Sequence, residues 1–224
     1  MADDLQRAYR QRFAERAAYR EAVWQILVSE FFQRWIPRES RVLDLGCGWG
    51  EFINHVAATQ RYGMDLNPDS AAHLDAGVTL IAQDCSQNWP LDDGSLDVVF
   101  SSNLFEHFPS KDALQAALTQ AARCLRTGGR LICLGPNIRY VKGEYWDFWD
   151  HHLPLTDRSM SEVLQVLGFR IEHCWPRFLP YTMSRGKTPP LSLVRLYLRM
   201  PWCWPLFGKQ FLIIAEKLGS PTPE

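Results

Sequence analysis

The sequence offers no pair of cysteines within bridging or metal-binding spacing. Its six, Cys47, Cys85, Cys124, Cys133, Cys174 and Cys203, stand far apart with neither a C-x-x-C pair nor zinc-ligand spacing. That excludes a disulfide framework and a cysteine-built metal site, and the thiols are expected to be reduced and mostly buried. The chain also lacks any apolar run of the ~18 residues that a membrane span needs. Its start, "MADDLQRAYR", carries acids where a secretory leader would carry bases followed by an apolar stretch. A cytoplasmic protein is expected. Charge excess is missing as well: 24 basic residues face 25 acidic ones, so nucleic acid is not the expected partner. Internal repeats and low-complexity tracts are absent.

One deficiency is local. Residues 1–172 hold 17 basic and 23 acidic side chains, whereas His173 to Ala215 hold six basic and no acidic ones. This acid-free stretch overlaps a proline-rich, tryptophan-rich segment, 176–208, which is expected to form an insertion of its own.

At 224 residues the chain can build one principal core and bury roughly 70 % of its unfolded surface. Apolar residues recur at three- and four-residue steps through Leu5, Tyr9, Phe13, Val23, Ile26, Leu27 and Phe31, which predicts a helical leader over 1–38, stopped by Pro37. Short β-rich runs then alternate with helical ones. Strands are expected at 41–46, 61–66, 78–83, 96–102, 129–135, 169–175 and 209–217. Helices are expected in "GEFINHVAAT", "SAAHLDA", "KDALQAALTQAARCL" and "TDRSMSEVLQVL". Such alternation predicts an α/β fold, a doubly wound and mostly parallel sheet with helices on both faces.

Ligands of such sheets sit beyond the carboxyl ends of the strands, closest to the first strand-to-helix turn. Here that turn is "DLGCGWGE", with Gly46, Gly48 and Gly50 at alternate positions. A dinucleotide would bring a pyrophosphate and would want a glycine where Glu51 stands, so Asp44 and Glu51 would repel it. S-adenosylmethionine has no phosphate, and its sulfonium and ammonium are attracted by those same acids. Asp65, about twenty residues on, is placed to accept hydrogen bonds from ribose hydroxyls in either cofactor class. Asp84, after the third strand, could bond an adenine amino group, with Cys85 as a soft wall against the ring.

The ordered segments "VLDLGCGWGEF", "YGMDLNPD", "AQDC", "LDVVFSSNLFEHF" and "CLRTGGRLICLGPN" resemble the motifs of class I S-adenosylmethionine-dependent methyltransferases. The resemblance covers 39–175 and is completed by strand 209–217. It implies a seven-stranded, three-layer α/β/α sheet whose last strand is antiparallel and lies between the fifth and sixth. It further implies that Asp44, Gly46, Cys47 and Gly48 meet the methionine end of the cofactor, Asp65 with Leu66 the ribose, and Asp84 and Cys85 the adenine. Asn103 and Leu104 would line the pocket after strand four. The product would be S-adenosylhomocysteine.

Methyl transfer to a hydroxyl needs positioning and a base. The candidates are His107 first and His151 second, with Glu106 beside them. The aromatic loop reads either as a staple covering the sheet edge or as a set of ring faces for a small-molecule or glycan-like acceptor; on the second reading Tyr145, Trp146, Asp150 and His152 are expected to receive it, with oxygen as the methylated atom. A metal held by Glu106, His107, His151 and His152 is conceivable, yet adjacency in sequence does not establish convergence, so none is expected. Segment 176–208 reads as a lid whose Arg195 and Arg199 address an anionic acceptor, as an interfacial segment touching the inner membrane face near a lipid-linked acceptor, or as a homodimer contact. A non-catalytic cofactor-binding protein and a dinucleotide oxidoreductase remain the rival readings.

Overall fold

The computed structural model describes residues 17–181 and 188–219; the first half of the expected leader and the ends of the chain lie outside them. Seven strands form one sheet in the order β3-β2-β1-β4-β5-β7-β6. They are β1 (Arg41–Leu45), β2 (Gln60–Met64), β3 (Val78–Ile81), β4 (Leu96–Ser102), β5 (Leu125–Pro136), β6 (Phe169–Leu179) and β7 (Gln210–Lys217). All neighbours are parallel except β7, which runs antiparallel between β5 and β6. This is the order and sense that the resemblance implied.

Strand side chains alternate between two cores, as the pleat requires. Leu43, Leu45, Val99, Leu131, Cys133 and Ile213 face helices α2 (Lys111–Cys124) and α3 (Asp157–Val166). Val42, Val98, Phe100, Ile132, Leu134 and Ile214 face helix α1 (Ala17–Glu30) and a dense aromatic cluster. In that cluster Phe31 and Phe178 lie 4.6 Å apart, and Phe52 stacks on Phe100 at 3.6 Å. The central strands β4, β5 and β7 read as nearly continuous apolar runs because both sides of the sheet are covered.

Two expected helices take a different form. After the glycine turn, residues 51–55 make only turns. The backbone N–H of Ala57, which would extend a helix, donates instead to Gln33 Oε1 at 2.8 Å, and Arg61 takes the carbonyls of Ile53 and Asn54. The "SAAHLDA" stretch shortens to a 3₁₀ turn, Pro68–Ala72, capped by Asn67 accepting from the Asp69 N–H at 3.0 Å. Helices α2 and α3 form where expected. Ser110 caps the first, and Thr156 with Ser159 builds a reciprocal capping box on the second.

Strand β6 runs on to Leu179, beyond the expected 175, so the insertion starts at Pro180. It leaves the sheet at the carboxyl end of β6 and returns at the start of β7, opposite the end of β5. Helix α4 (Leu191–Leu198) within it packs along α1.

Candidate active site

Gly46, Gly48 and Gly50 adopt φ of +73°, +52° and +80°, left-handed values that glycine reaches without cost. At Gly46 the need is also steric, since a Cβ there would come within 2.8 Å of the Leu104 side chain. The turn is pinned to the second strand: Gly46 and Cys47 N–H groups donate to the Met64 carbonyl, and Gly48 N–H donates to Asp65 Oδ2 at 2.8 Å. Asp65 thus ties the glycine turn to the end of β2, with Oδ1 accepting from Asn67 N–H at 2.8 Å.

Asp44 ends β1 almost fully buried at 3 % exposure, and its pKa is raised well above the usual carboxylate value. Desolvation is the chief cause, followed by the negative charges of Glu51 and Asp65. A cation placed against it would relieve that penalty. The second expected acid behaves otherwise: burial raises Glu51 too, but its ion pair with Arg20 of α1 opposes that and gives its charge a partner within the chain. Arg20 carries no sequence signal for this role, because its partner lies 31 positions away. Asp44 is the acid left to meet a cationic ligand.

The rest of the expected cofactor set lines the same carboxyl edge. Asp84 uses Oδ1 to cap Ser86, accepting from its N–H and hydroxyl at 2.8 Å each. Burial, more than the neighbouring Asp84 charge, pushes the Cys85 thiol up to about 12, which leaves it a neutral wall. Leu66 is exposed, its side chain open to a bound ring. Asn103 holds φ +51°, strained for a residue with a side chain, and is fixed by its N–H to the Leu134 carbonyl at 2.9 Å. Its neighbour Leu104 is thereby set against Gly46.

The acceptor end shows convergence that sequence adjacency could not. The carbonyl of Glu106 accepts from both His152 N–H (2.8 Å) and Leu153 N–H (3.1 Å), drawing the loop after β5 onto the turn after β4. Glu106, His107 and His151 then each offer one ligand-type atom within 4.8 Å of the others. Burial raises the Glu106 carboxyl, opposed by the His107 imidazole. His107 Nδ1–H donates to the Asp150 carbonyl at 2.9 Å, with the Asp150 carboxylate 3.5 Å away, which leaves Nε2 for chemistry. His151 is clasped by Phe148 and Tyr145, ring centroids 5.0 and 4.8 Å away.

Four side chains were expected to meet the acceptor, and the structure divides them. Tyr145 is fully buried, with its hydroxyl bonded to the Leu153 carbonyl. It therefore supports His151 from below and is corrected here from an acceptor contact to a staple. Trp146 and His152 are exposed on the loop, and Asp150 orients His107. Arg195 and Arg199 do not point to an anionic acceptor; both pair with Glu30 of α1.

The sequence profile of a family described as a methyltransferase domain matches residues 16–174. Among curated proteins, the chain is 33 % identical over 140 residues to a fatty-acid O-methyltransferase of Mycolicibacterium smegmatis, covering 58 % of this chain and 46 % of that one. It is 29 % identical over 172 residues to a probable tRNA methyltransferase 9B of Mus musculus, covering 74 % and 36 %. The chain thus spans about a third to a half of these relatives. Two solved structures share the fold. One is an S-adenosylmethionine-dependent methyltransferase of Archaeoglobus fulgidus, with TM-score 0.63, 23 % identity and coverage of 86 % and 94 %. The other is a Haloferax volcanii complex of the Trm112 methyltransferase activator with a methyltransferase, with TM-score 0.69, 18 % identity and coverage of 96 % and 99 %.

Proposed function

The chain belongs to the class I S-adenosylmethionine-dependent methyltransferases, and on that premise we propose that it methylates an oxygen of a small-molecule or glycan-like acceptor held beside Glu106, His107 and His151. Membership removes the dinucleotide reading. The observation that carries the acceptor assignment is the convergence of those three side chains at the carboxyl end of β4, one turn beyond the cofactor-facing Asn103 and Leu104.

The cofactor supplies a methyl group on a positively charged sulfur and leaves as neutral S-adenosylhomocysteine. The chain's residues fit it. Buried Asp44 favours the cationic methionine end, Gly46, Cys47 and Gly48 admit close backbone approach, Asp65 with Leu66 takes the ribose, and Asp84 with Cys85 takes the adenine. Asn103 and Leu104 close the pocket toward the acceptor. His107, oriented through Nδ1 by Asp150, takes the acceptor proton at Nε2. Exposed Trp146 and Trp149 offer ring faces at the entrance.

The fatty-acid O-methyltransferase relative supports oxygen as the receiving atom. The acidic balance of residues 1–172 favours a small molecule over the tRNA suggested by the other relative. The free state of all six cysteines supports a reducing, cytoplasmic setting. Among the described residues no helix is long and apolar enough to cross a membrane. Leu193, Leu196, Trp202, Leu206 and Phe207 are nonetheless exposed on the insertion, which supports a lipid-linked acceptor met at a membrane face.

The test supplies labelled cofactor with fatty acids, hydroxylated glycans and tRNA in parallel, and reads the products by mass spectrometry. Label on an oxygen of a small acceptor, lost in His107→Gln, is the expected result. Label confined to tRNA or to nitrogen overturns the reading.

A further inference from the structure

Two imidazoles and one carboxylate meeting at a half-open site have a second chemical identity besides proton transfer. The ligand atoms of Glu106, His107 and His151 all lie within 4.8 Å of one another. Around a cation bound at about 2.0–2.2 Å, ligand atoms stand roughly 3–4 Å apart, so small side-chain rotations would bring these three into a coordination sphere. They come from two segments, the turn Phe105–His107 and the loop before Leu153, and those segments are locked together by the two N–H bonds to the Glu106 carbonyl.

A further observation points the same way. Metal-bound histidines usually donate their second ring N–H to a carbonyl or carboxylate, which fixes the tautomer and the ring. His107 does so here, donating Nδ1–H to the Asp150 carbonyl at 2.9 Å with the Asp150 carboxylate 3.5 Å away, which leaves Nε2 as its lone-pair nitrogen. His151 is held by packing, between the Phe148 and Tyr145 rings. Glu106 and His151 are buried, while His107 is partly open to solvent, so a cation would be screened on one side and reachable on the other.

We propose that Glu106, His107 and His151 form a mononuclear divalent-cation site of the two-histidine, one-carboxylate kind, with open positions for the acceptor oxygen. Two nitrogen donors favour Zn²⁺, Mn²⁺, Fe²⁺ or Co²⁺ over Mg²⁺ or Ca²⁺, which prefer oxygen throughout. The inference rests on the methyltransferase reading only for its consequence. A cation held there would engage His107 Nε2 as a ligand, in place of the base role it has in the cation-free chain. It would lower the pKa of a coordinated acceptor hydroxyl, whose proton would pass to solvent water. That oxygen would form the new bond to the methyl carbon as the carbon–sulfur bond breaks and its electron pair returns to sulfur. No oxidant or reductant is required.

The experiment strips the full chain with chelator and titrates Mn²⁺ by electron paramagnetic resonance, with S-adenosylhomocysteine calorimetry on the same samples. One Mn²⁺ per chain is expected, with affinity lowered at least tenfold in Glu106→Gln and in His151→Gln while S-adenosylhomocysteine binding is unchanged. Asp150→Asn keeps the backbone carbonyl that accepts His107 Nδ1–H and removes only the carboxylate charge 3.5 Å away, so it should change cation affinity by no more than about tenfold. Absence of stoichiometric Mn²⁺ binding, or binding unaltered in both variants, overturns the proposal and leaves an adventitious ion only. Should a variant lose S-adenosylhomocysteine as well through misfolding, Co²⁺ added to the stripped wild-type chain decides. The visible bands of a low-coordinate nitrogen–oxygen site support the proposal, and the weak spectrum of the hydrated ion overturns it. A chain that binds the cation but never S-adenosylhomocysteine would overturn the cofactor reading alone.

Discussion

Asp44 concentrates the tension at this site into one carboxyl group. Its folded-state pKa is raised, chiefly by burial and then by Glu51 and Asp65. A raised carboxyl contributes stability that is present below the unfolded value near 4 and is lost as pH rises through the folded value. At neutral pH the cofactor-free protein therefore carries a cost that a bound cation removes. Asp44→Asn is expected to raise the melting temperature of the cofactor-free chain at neutral pH and to weaken S-adenosylmethionine by about 1.5–3 kcal/mol, the worth of a charge-assisted contact. Cofactor affinity of the wild type should climb with pH through the Asp44 titration, and the Asn variant should show a flat profile. A variant that binds as tightly as wild type, measured by calorimetry across pH, would remove Asp44 from the site. This residue was legible in the sequence because its place depends on a short register, a strand end followed by three glycines. Tyr145 was legible only as one of two alternatives. An aromatic in a polar loop reads as a staple over the sheet edge or as a ligand contact, and the tertiary approach of Leu153 to its hydroxyl decides for the first.

At the scale of elements, α1 is more than a cover for the sheet. Its Arg20 neutralises Glu51 at the rim of the glycine turn, with both side chains nearly buried at 13 % and 12 % exposure. Its Glu30 receives Arg195 of α4 and Arg199 just after it at the other end. The helix thus couples the cofactor turn to the insertion. Removing one partner of a nearly buried pair leaves an uncompensated charge. Arg20→Ala should cost roughly 2–3 kcal/mol by chemical denaturation, and adding Glu51→Gln should restore most of it, as a double-mutant cycle would show. Additive losses would mean that the pair does not interact. The sequence periodicity marked the apolar face of this helix but held no trace of its ion-pair partners, since those are set by which loops the sheet order brings alongside. The absence of a regular helix after Gly50 has the same origin: Gln33 and Arg61, remote in sequence, take the backbone groups that a helix would need.

Across the whole molecule the parallel α/β class was legible in the alternation of compact β-rich and helical runs, whereas the strand order was implied only by the family resemblance of the ordered motifs. The direction in which the insertion faces was not legible, although both of its ends are anchored at the carboxyl edge of the sheet. Lys209 bridges to Glu144 at 2.8 Å, so the insertion is tied to the loop that carries Trp146 and Trp149. Among its described residues the cations have acidic partners, Arg195 and Arg199 on Glu30 and Lys209 on Glu144, and Arg177 at the end of β6 donates to the insertion's Leu206 and Gly208 carbonyls. Arg195 and Arg199 stay exposed beside their pairing with Glu30, and the large apolar side chains most open to solvent are Trp202, Leu206 and Phe207. If this face meets lipid, burial of apolar area must drive the contact more than attraction to anionic headgroups. Co-sedimentation with zwitterionic vesicles should then nearly equal that with anionic ones and should change little with added salt. Replacing Trp202, Leu206 and Phe207 by Ser together should abolish it while S-adenosylhomocysteine binding persists. Binding that needs anionic lipid and disappears in salt would assign the contact to basic side chains instead, and no binding by the wild type would leave the exposed face to an acyl or aromatic portion of the acceptor itself.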